Sequence, residues 1–206
     1  MKRNIVVVLS TIILMMSACT KDPLKDLSDE ESRIYITQRD STVDFASFST
    51  FSIADSVAYI NNNQAITRFT AVDQQFIEAI KSSMEQRGFV FVPRSQNPDI
   101  GITVSRVYST YQGIVEYTDY YYDYWDPFYW GYGGSSYFFP SYYGVYQVTE
   151  GALSVDMLNL KDAATTNQLK SVWNAFVRGS GIFSSGNVNS QVKALFDQSP
   201  YLVTTP

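Results

Sequence analysis

Residues 70–93 read TAVDQQFIEAIKSSMEQRGFVFVP, and this stretch decides the architecture. Thr70, followed three residues later by Asp73, has the form of a capping box, in which each side chain satisfies a backbone N–H of the other residue at a helix start. Val72, Phe76, Ile77, Ile80 and Met84 then recur at helical spacing on one face, and Gly88 supplies the stop. Directly afterwards, Phe89-Val90-Phe91-Val92 reads as a strand ended by Pro93. A helix with one apolar face must cover something flat, and the strand beside it says that the cover is for a sheet.

Working outward, Asp44 to Ile53 (DFASFSTFSI) is aromatic and strand-like, and a polar loop containing Asn61-Asn62-Asn63 joins it to the helix. On the other side, Ile100, Ile102 and Val104 alternate as a strand entered through Asn97-Pro98-Asp99. Leu153, Val155 and Met157 alternate along a further strand. Leu169 to Arg178 (LKSVWNAFVR) fits a helical face through Leu169, Val172, Trp173 and Phe176, yet is read as a strand forming a hairpin with 152–160 across a polar turn at Lys161-Asp162. Trp173 is expected in the core. A closing helix from Val188 to Asp197 presents Val188, Val192, Leu195 and Phe196 and stops before Pro200. The expected fold is α+β: a mixed or mainly antiparallel sheet of about five strands packed against two helices, with a long aromatic loop projecting from one edge.

The amino terminus speaks of location. Met1-Lys2-Arg3-Asn4 is cationic, and Ile5 to Met16 is an apolar run of about 12 residues, whereas a spanning helix needs about 20. It matches a secretory signal over residues 1–18. Leu14-Met15-Met16-Ser17-Ala18-Cys19 resembles the lipobox of bacterial lipoprotein precursors, with Met16 where Leu is commoner. That resemblance implies a mature chain beginning at a lipidated Cys19, carrying acyl chains such as palmitate whose burial gives durable anchoring. Thr20, a residue other than Asp after the cysteine, implies the outer membrane, with the periplasmic face ranked first and cell-surface display kept open by Lys21-Asp22. Residues 19–43, rich in charge and with only Ile34-Tyr35-Ile36 strand-like, read as the lipidated terminus and a flexible tether, leaving 44–206 as a single domain.

Composition narrows the chemistry. The chain holds 15 Lys and Arg against 20 Asp and Glu; losing Lys2 and Arg3 with the signal leaves 13 against 20, a net charge of -7. Nucleic acid is therefore not an expected partner, since phosphate contacts need clustered cations. There is no histidine, and Cys19 is the only cysteine. Ser-His-Asp and Cys-His catalysis, the usual zinc sites and an internal disulfide are thereby removed, and no metal or cofactor is expected.

The stretch from Tyr108 to Tyr146 is chemically distinctive. Fifteen aromatic residues lie between Tyr120 and Tyr146, interrupted by glycines and by Pro127 and Pro140, and no Lys or Arg occurs between Arg106 and Lys161. Tyrosine and glycine mixtures make adaptable contact surfaces. The candidate binding surface is Tyr120, Tyr121, Tyr122, Tyr124, Trp125, Tyr129, Trp130, Tyr132, Tyr142 and Tyr143, facing a partner protein, an envelope glycan or the lipid interface. The blander reading is a low-complexity insertion, partly disordered or folded over the domain's own sheet. Asp119, Asp123 and Asp126 lack EF-hand spacing and read as solubilising residues among apolar neighbours. Gly179-Ser180-Gly181 and Ser184-Ser185-Gly186 lack a P-loop lysine and read as turns.

Several short motifs together resemble a known family. They are the Phe48-Ser49-Thr50-Phe51 core of the first strand, Arg87-Gly88-Phe89, Pro98-Asp99-Ile100, Gly151-Ala152-Leu153-Ser154-Val155-Asp156, the Trp173 strand and a last helix running into Ser199-Pro200. Over about residues 44–201 they are similar to the Domain of Unknown Function 4136 family of bacterial envelope lipoproteins. One departure is that Asn174-Ala175-Phe176-Val177 separates Trp173 from Arg178-Gly179, longer than the family's Trp-Arg-Gly pattern. The resemblance implies no catalytic residues. The expected role is non-enzymatic, a lipid-anchored envelope protein acting through binding or assembly. The alternative is an envelope-glycan binder, or a glycan hydrolase using paired carboxylates among Glu116, Asp119, Asp123 and Asp126.

Overall fold

The structure, a computed structural model, describes residues 27–61, 64–108, 114–116, 129–132, 136–138, 143–145 and 151–204, with backbone alone for 64–65, 114–116, 136–138 and 143–145. The chain divides into two units, residues 1–32 and 33–206. In the first, Ser28 donates from both its N–H and its hydroxyl to Glu31, which holds the Glu31 carboxyl below its ordinary range.

The second unit is α+β. Its strands are β1 (Ile34–Arg39), β2 (Thr50–Ile53), β3 (Val57–Asn61), β4 (Gln64–Arg68), β5 (Val90–Phe91), β6 (Ile100–Tyr108), β7 (Ile114–Glu116), β8 (Ser136–Phe138), β9 (Tyr143–Val145), β10 (Ala152–Asn159) and β11 (Gln168–Arg178). The helices are α1 (Ala71–Gln86), the four-residue α2 (Ala163–Thr166) and α3 (Val188–Asp197). The main path of the sheet runs β1-β11-β10-β6-β2-β5, with β3, β4 and β8 attached beside it and β7-β9 forming a separate ribbon. Pairing is antiparallel from β1 through β11 and β10 to β6. It turns parallel at β6-β2, β2-β5, β6-β3 and β11-β8.

One face of this sheet is packed by α1 and α3. Phe76, Ile80 and Met84 of α1 and Val188, Val192, Leu195 and Phe196 of α3 meet Phe51, Ile100, Ile102, Val104, Leu153, Val155, Met157 and Trp173. Each such large side chain contributes about 1.5–3 kcal/mol by leaving water. Thr70 and Asp73 form the capping box that the sequence implied. Gly88 sits at φ 93, the left-handed region in which a side chain is strained. Trp173 is buried among these residues and donates its indole N–H to Ser199 Oγ at 3.0 Å.

Three stretches differ from the sequence reading. Ile34-Tyr35-Ile36, strand-like in the sequence, opens a six-residue edge strand that runs to Arg39 and pairs along its length with β11. Its extension through Thr37, Gln38 and Arg39 is polar because an edge needs only one partner and leaves half its side chains wet. Asp44 to Ile53 divides: Asp44 accepts from Ala46 N to cap a 3-10 turn at Phe45–Ser47, and only Thr50–Ile53 is strand. The polar loop before α1 contains the hairpin β3-β4, in which Asn61 faces Gln64. Val57, Ala58 and Ile60 of β3 are all buried, which erases the alternation that signals a half-buried strand.

Candidate functional site

Most residues of the recurring motifs are occupied in holding the fold. The Arg87 guanidinium donates to the carbonyls of Phe196, Ser199 and Leu202, closing the carboxyl end of α3. Burial lowers its pKa. A Cβ on Gly88 would stand 2.3 Å from Thr204 Oγ1. Asp99 Oδ2 accepts from Ser49 N and Thr50 N, and its carbonyl accepts from Leu160 N and Lys161 N, tying the starts of β2 and β6 to the end of β10. Gly151, at φ 96, leaves room for the rings of Phe183 and Tyr108, either of which a Cβ would approach to 2.9 Å.

A buried ionic network joins the helix layer to the sheet. Asp73 at the start of α1 accepts from Arg106 of β6 at 2.6 Å, from the Tyr59 hydroxyl at 2.8 Å and from Thr70 N at 2.8 Å. The Arg106 guanidinium lies 4.0 Å from the centre of the Phe183 ring. The Tyr59 phenol is pushed up by burial and by its bond to Asp73. Every donor here faces a carboxylate, a hydroxyl or a ring, so the cluster is a packed polar joint.

The middle of the opposite face carries small and polar side chains, Ser52, Gly101, Thr103, Ser105, Ser154, Asp156 and Asn174, the six with side chains all buried, beside an apolar patch of Ala152 and Phe176. Asn174 Nδ2 donates to Asp156 Oδ1 at 2.6 Å, and Ser154 Oγ to Asp156 Oδ2 at 3.2 Å. On this face sits Trp130, 6% exposed, in a second apolar cluster with Ala54, Leu158, Leu160, Ala163 and Leu169. Gly101 makes the approach possible, because a Cβ there would lie 2.7 Å from Trp130 Cε2. The indole N–H reaches Thr103 Oγ1 at 3.3 Å, and the Tyr132 hydroxyl donates to Leu160 O at 3.3 Å. Tyr129 packs edge-on against Trp130, and its hydroxyl accepts from Asp55 N at 3.2 Å. Burial pushes that phenol up. Residues 129–132 are thus seated on the sheet rather than projecting from its edge.

Beside Trp130 opens a cleft of about 270 Å³. Its wall combines the rings of Trp130 and Tyr132 with Arg94, Asn97, Asp99 and Lys161. Arg94 lies 4.9 Å from the Tyr129 ring centre and donates to the Tyr129 carbonyl. Lys161 Nζ donates to Ser47 O at 2.7 Å. Neither cation forms an ion pair with a carboxylate among the described residues, unlike Arg106, Lys170 and Lys193. Asn97 is held left-handed at φ 51 on the rim. Such a cleft can stack a small ring and hold a negative charge.

Residues 36–201 match the family described as Domain of unknown function (DUF4136). The chain belongs to the DUF4136 family. A DUF4136 family protein from Bacteroides thetaiotaomicron VPI-5482, with a crystal structure at 1.60 Å, is 28% identical and superposes with a TM-score of 0.70, covering 84% of this chain and 99% of that one. A PDZ domain protein from Parabacteroides distasonis ATCC 8503 is 14% identical at a TM-score of 0.45, covering 82% of this chain and 36% of that one. No curated protein matches the chain.

Of the residues singled out in this DUF4136 sequence, the structure brings Tyr129, Trp130 and Tyr132 together. Cys19, Tyr120, Tyr121, Tyr122, Tyr124, Trp125 and Tyr142 lie outside the described residues, as do Asp119, Asp123 and Asp126. Tyr143 and Glu116 are described by backbone alone and face each other across the β7-β9 ribbon. Arg94 and Lys161 were missed. They meet only because the start of β6 pairs with the end of β10, Ile100 opposite Asn159, and no local pattern announces that.

Proposed function

We propose that this DUF4136 protein is a lipid-anchored component of the cell envelope, held at the outer membrane on its periplasmic face through Cys19 and acting by binding or assembly rather than catalysis. The observation that carries the anchoring is the position of the sole cysteine, directly after an apolar run too short to span a bilayer and preceded by Lys2-Arg3. The charge-rich sequence that follows Cys19 (TKDPLKDLSDEES) has the composition of a spacer between a lipid and a folded domain. The non-catalytic reading is supported by the occupation of Arg87 and Trp173 in structural bonds, and the binding reading by the aromatic cleft beside Trp130.

Metabolic labelling tests the anchor. In its native cells the wild-type chain should incorporate labelled palmitate and sediment with outer membranes, whereas Cys19→Ser should accumulate as unlabelled precursor. A Cys19→Ser chain that is cleaved and released like wild type overturns the reading.

A further inference from the structure

We propose that the cleft between Arg94, Lys161, Trp130 and Tyr132 binds a carboxylated sugar, with the carboxylate between the two cations, a ring face against the aromatic wall and hydroxyls directed at Asp99. This names a ligand class for the binding role proposed above and rests on that half of it. Lipidation can fail with the cleft intact, so labelling and ligand titration report separately.

Three segments converge on the cleft: the turn before β6, the start of α2 after β10, and the anchored piece of the aromatic stretch. Its chemistry is mixed in a way that selects one kind of molecule. Arg94 and Lys161 remain without carboxylate partners in a chain of net charge -5, so they favour an anion. Both are exposed, and each has N–H donors beyond the one directed at a carbonyl.

Asp99 restricts the anion further. Its Oδ2 is taken by the amides of Ser49 and Thr50, while Oδ1 has no hydrogen-bond donor among the described residues. A fixed carboxylate on the wall repels a dianion about twice as strongly as a monoanion at the same distance, and it accepts readily from a hydroxyl. A ligand with one carboxylate and several hydroxyls answers both ends, and its C–H-rich face suits Tyr132 and the small exposed part of Trp130. At about 270 Å³ the volume fits one sugar ring and falls below the usual size of drug-like sites. A nucleic-acid strand would need a long cationic groove, which two cations do not make.

Two other cavities serve as contrasts. The groove of about 1000 Å³ between α1 and α3 has its cations engaged, Arg87 with three carbonyls and Lys193 with Asp197. A cleft of about 280 Å³ beside Tyr59 and Tyr108 offers Arg68 but no second cation. Arg68 therefore supplies the control.

Isothermal titration of the full-length protein in detergent with sodium glucuronate, glucose and inorganic phosphate tests the proposal. Glucuronate should bind at least about tenfold more tightly than either glucose or phosphate, and Arg94→Gln or Lys161→Gln should each weaken it about tenfold or more. Arg68→Gln should leave it unchanged. Ala164→Glu, on the rim of the cleft, should abolish binding with Arg94 intact, a check that does not depend on how well the Arg94 variant folds. No glucuronate binding at millimolar concentration overturns the proposal, as does equal affinity for glucose. Phosphate binding as tight as glucuronate would mean a simple anion site and also overturns it, and so does a loss confined to Arg68→Gln.

Discussion

The two faces of the sheet are covered in opposite ways. Beneath α1 and α3 lie Ile100, Ile102, Val104, Leu153, Val155 and Met157, large side chains that interdigitate with the apolar stripes of the two helices. On the other face the same strands present Gly101, Thr103, Ser105, Ser154 and Asp156, and Trp130 comes down onto the glycine. The first face is close-packed by volume matching between similar partners. The second matches a flat, small-residue surface to a large ring, and its polar groups bond to each other and to the indole. A helix-covered face tolerates exchange of one aliphatic for another, whereas a face built on a missing Cβ tolerates almost no added volume.

Substitutions that attack each region should separate them. Asp73→Ala, at the start of α1, leaves the Arg106 guanidinium buried without its carboxylate; the expected loss is about 3–5 kcal/mol in urea unfolding. A loss below 1 kcal/mol would mean that Arg106 finds water or another partner. Gly101→Ala, on the opposite face, forces the Trp130 ring and Leu160 Cδ1 aside, and about 1–3 kcal/mol of destabilisation is expected by the same measurement. A neutral result would detach Trp130 from the sheet.

The smallest effect belongs to the edge, where Lys170 of β11 pairs with Asp40 just after β1. Lys170, followed by the Thr42 hydroxyl, draws the Asp40 carboxyl down to about 2. Because the folded value lies below the unfolded one, this stabilisation is complete above about pH 4 and disappears as the pH falls towards 2. With Lys170 half-exposed, Asp40→Asn should cost less than about 1 kcal/mol at neutral pH. The wild-type and Asp40→Asn unfolding curves should converge on acidification to pH 2; a gap unchanged with pH would place the effect elsewhere.

The contrast between the faces also explains what could be read in advance. The helices were legible because Phe76, Ile80 and Met84, or Val188, Val192 and Leu195, repeat at helical spacing, and the Thr70 to Asp73 box marks a start that the structure reproduces. The hairpin of β10 with β11 was legible once Leu169 to Arg178 was read as strand, and Trp173 lies in the core as expected. The polar face was not legible, because nothing in the alternation of Thr103, Ser105 and Asp156 says what packs against it. The cleft was half legible: its rings stood out as composition, but Arg94 and Lys161 are brought together only by strand pairing. Half of the edge strand β1 was legible as Ile34-Tyr35-Ile36, while the polar Thr37-Gln38-Arg39 hid its extension and its pairing with β11.

Hydroxyl-radical footprinting of the folded protein, read by mass spectrometry, tests the seating of Trp130 most directly. Trp130, 6% exposed, should resist oxidation nearly as well as Trp173 at 1%, while Phe69 at 51% reacts, and the protection of both tryptophans should vanish together on unfolding in urea. A Trp130 that oxidises readily while Trp173 stays protected would contradict the account.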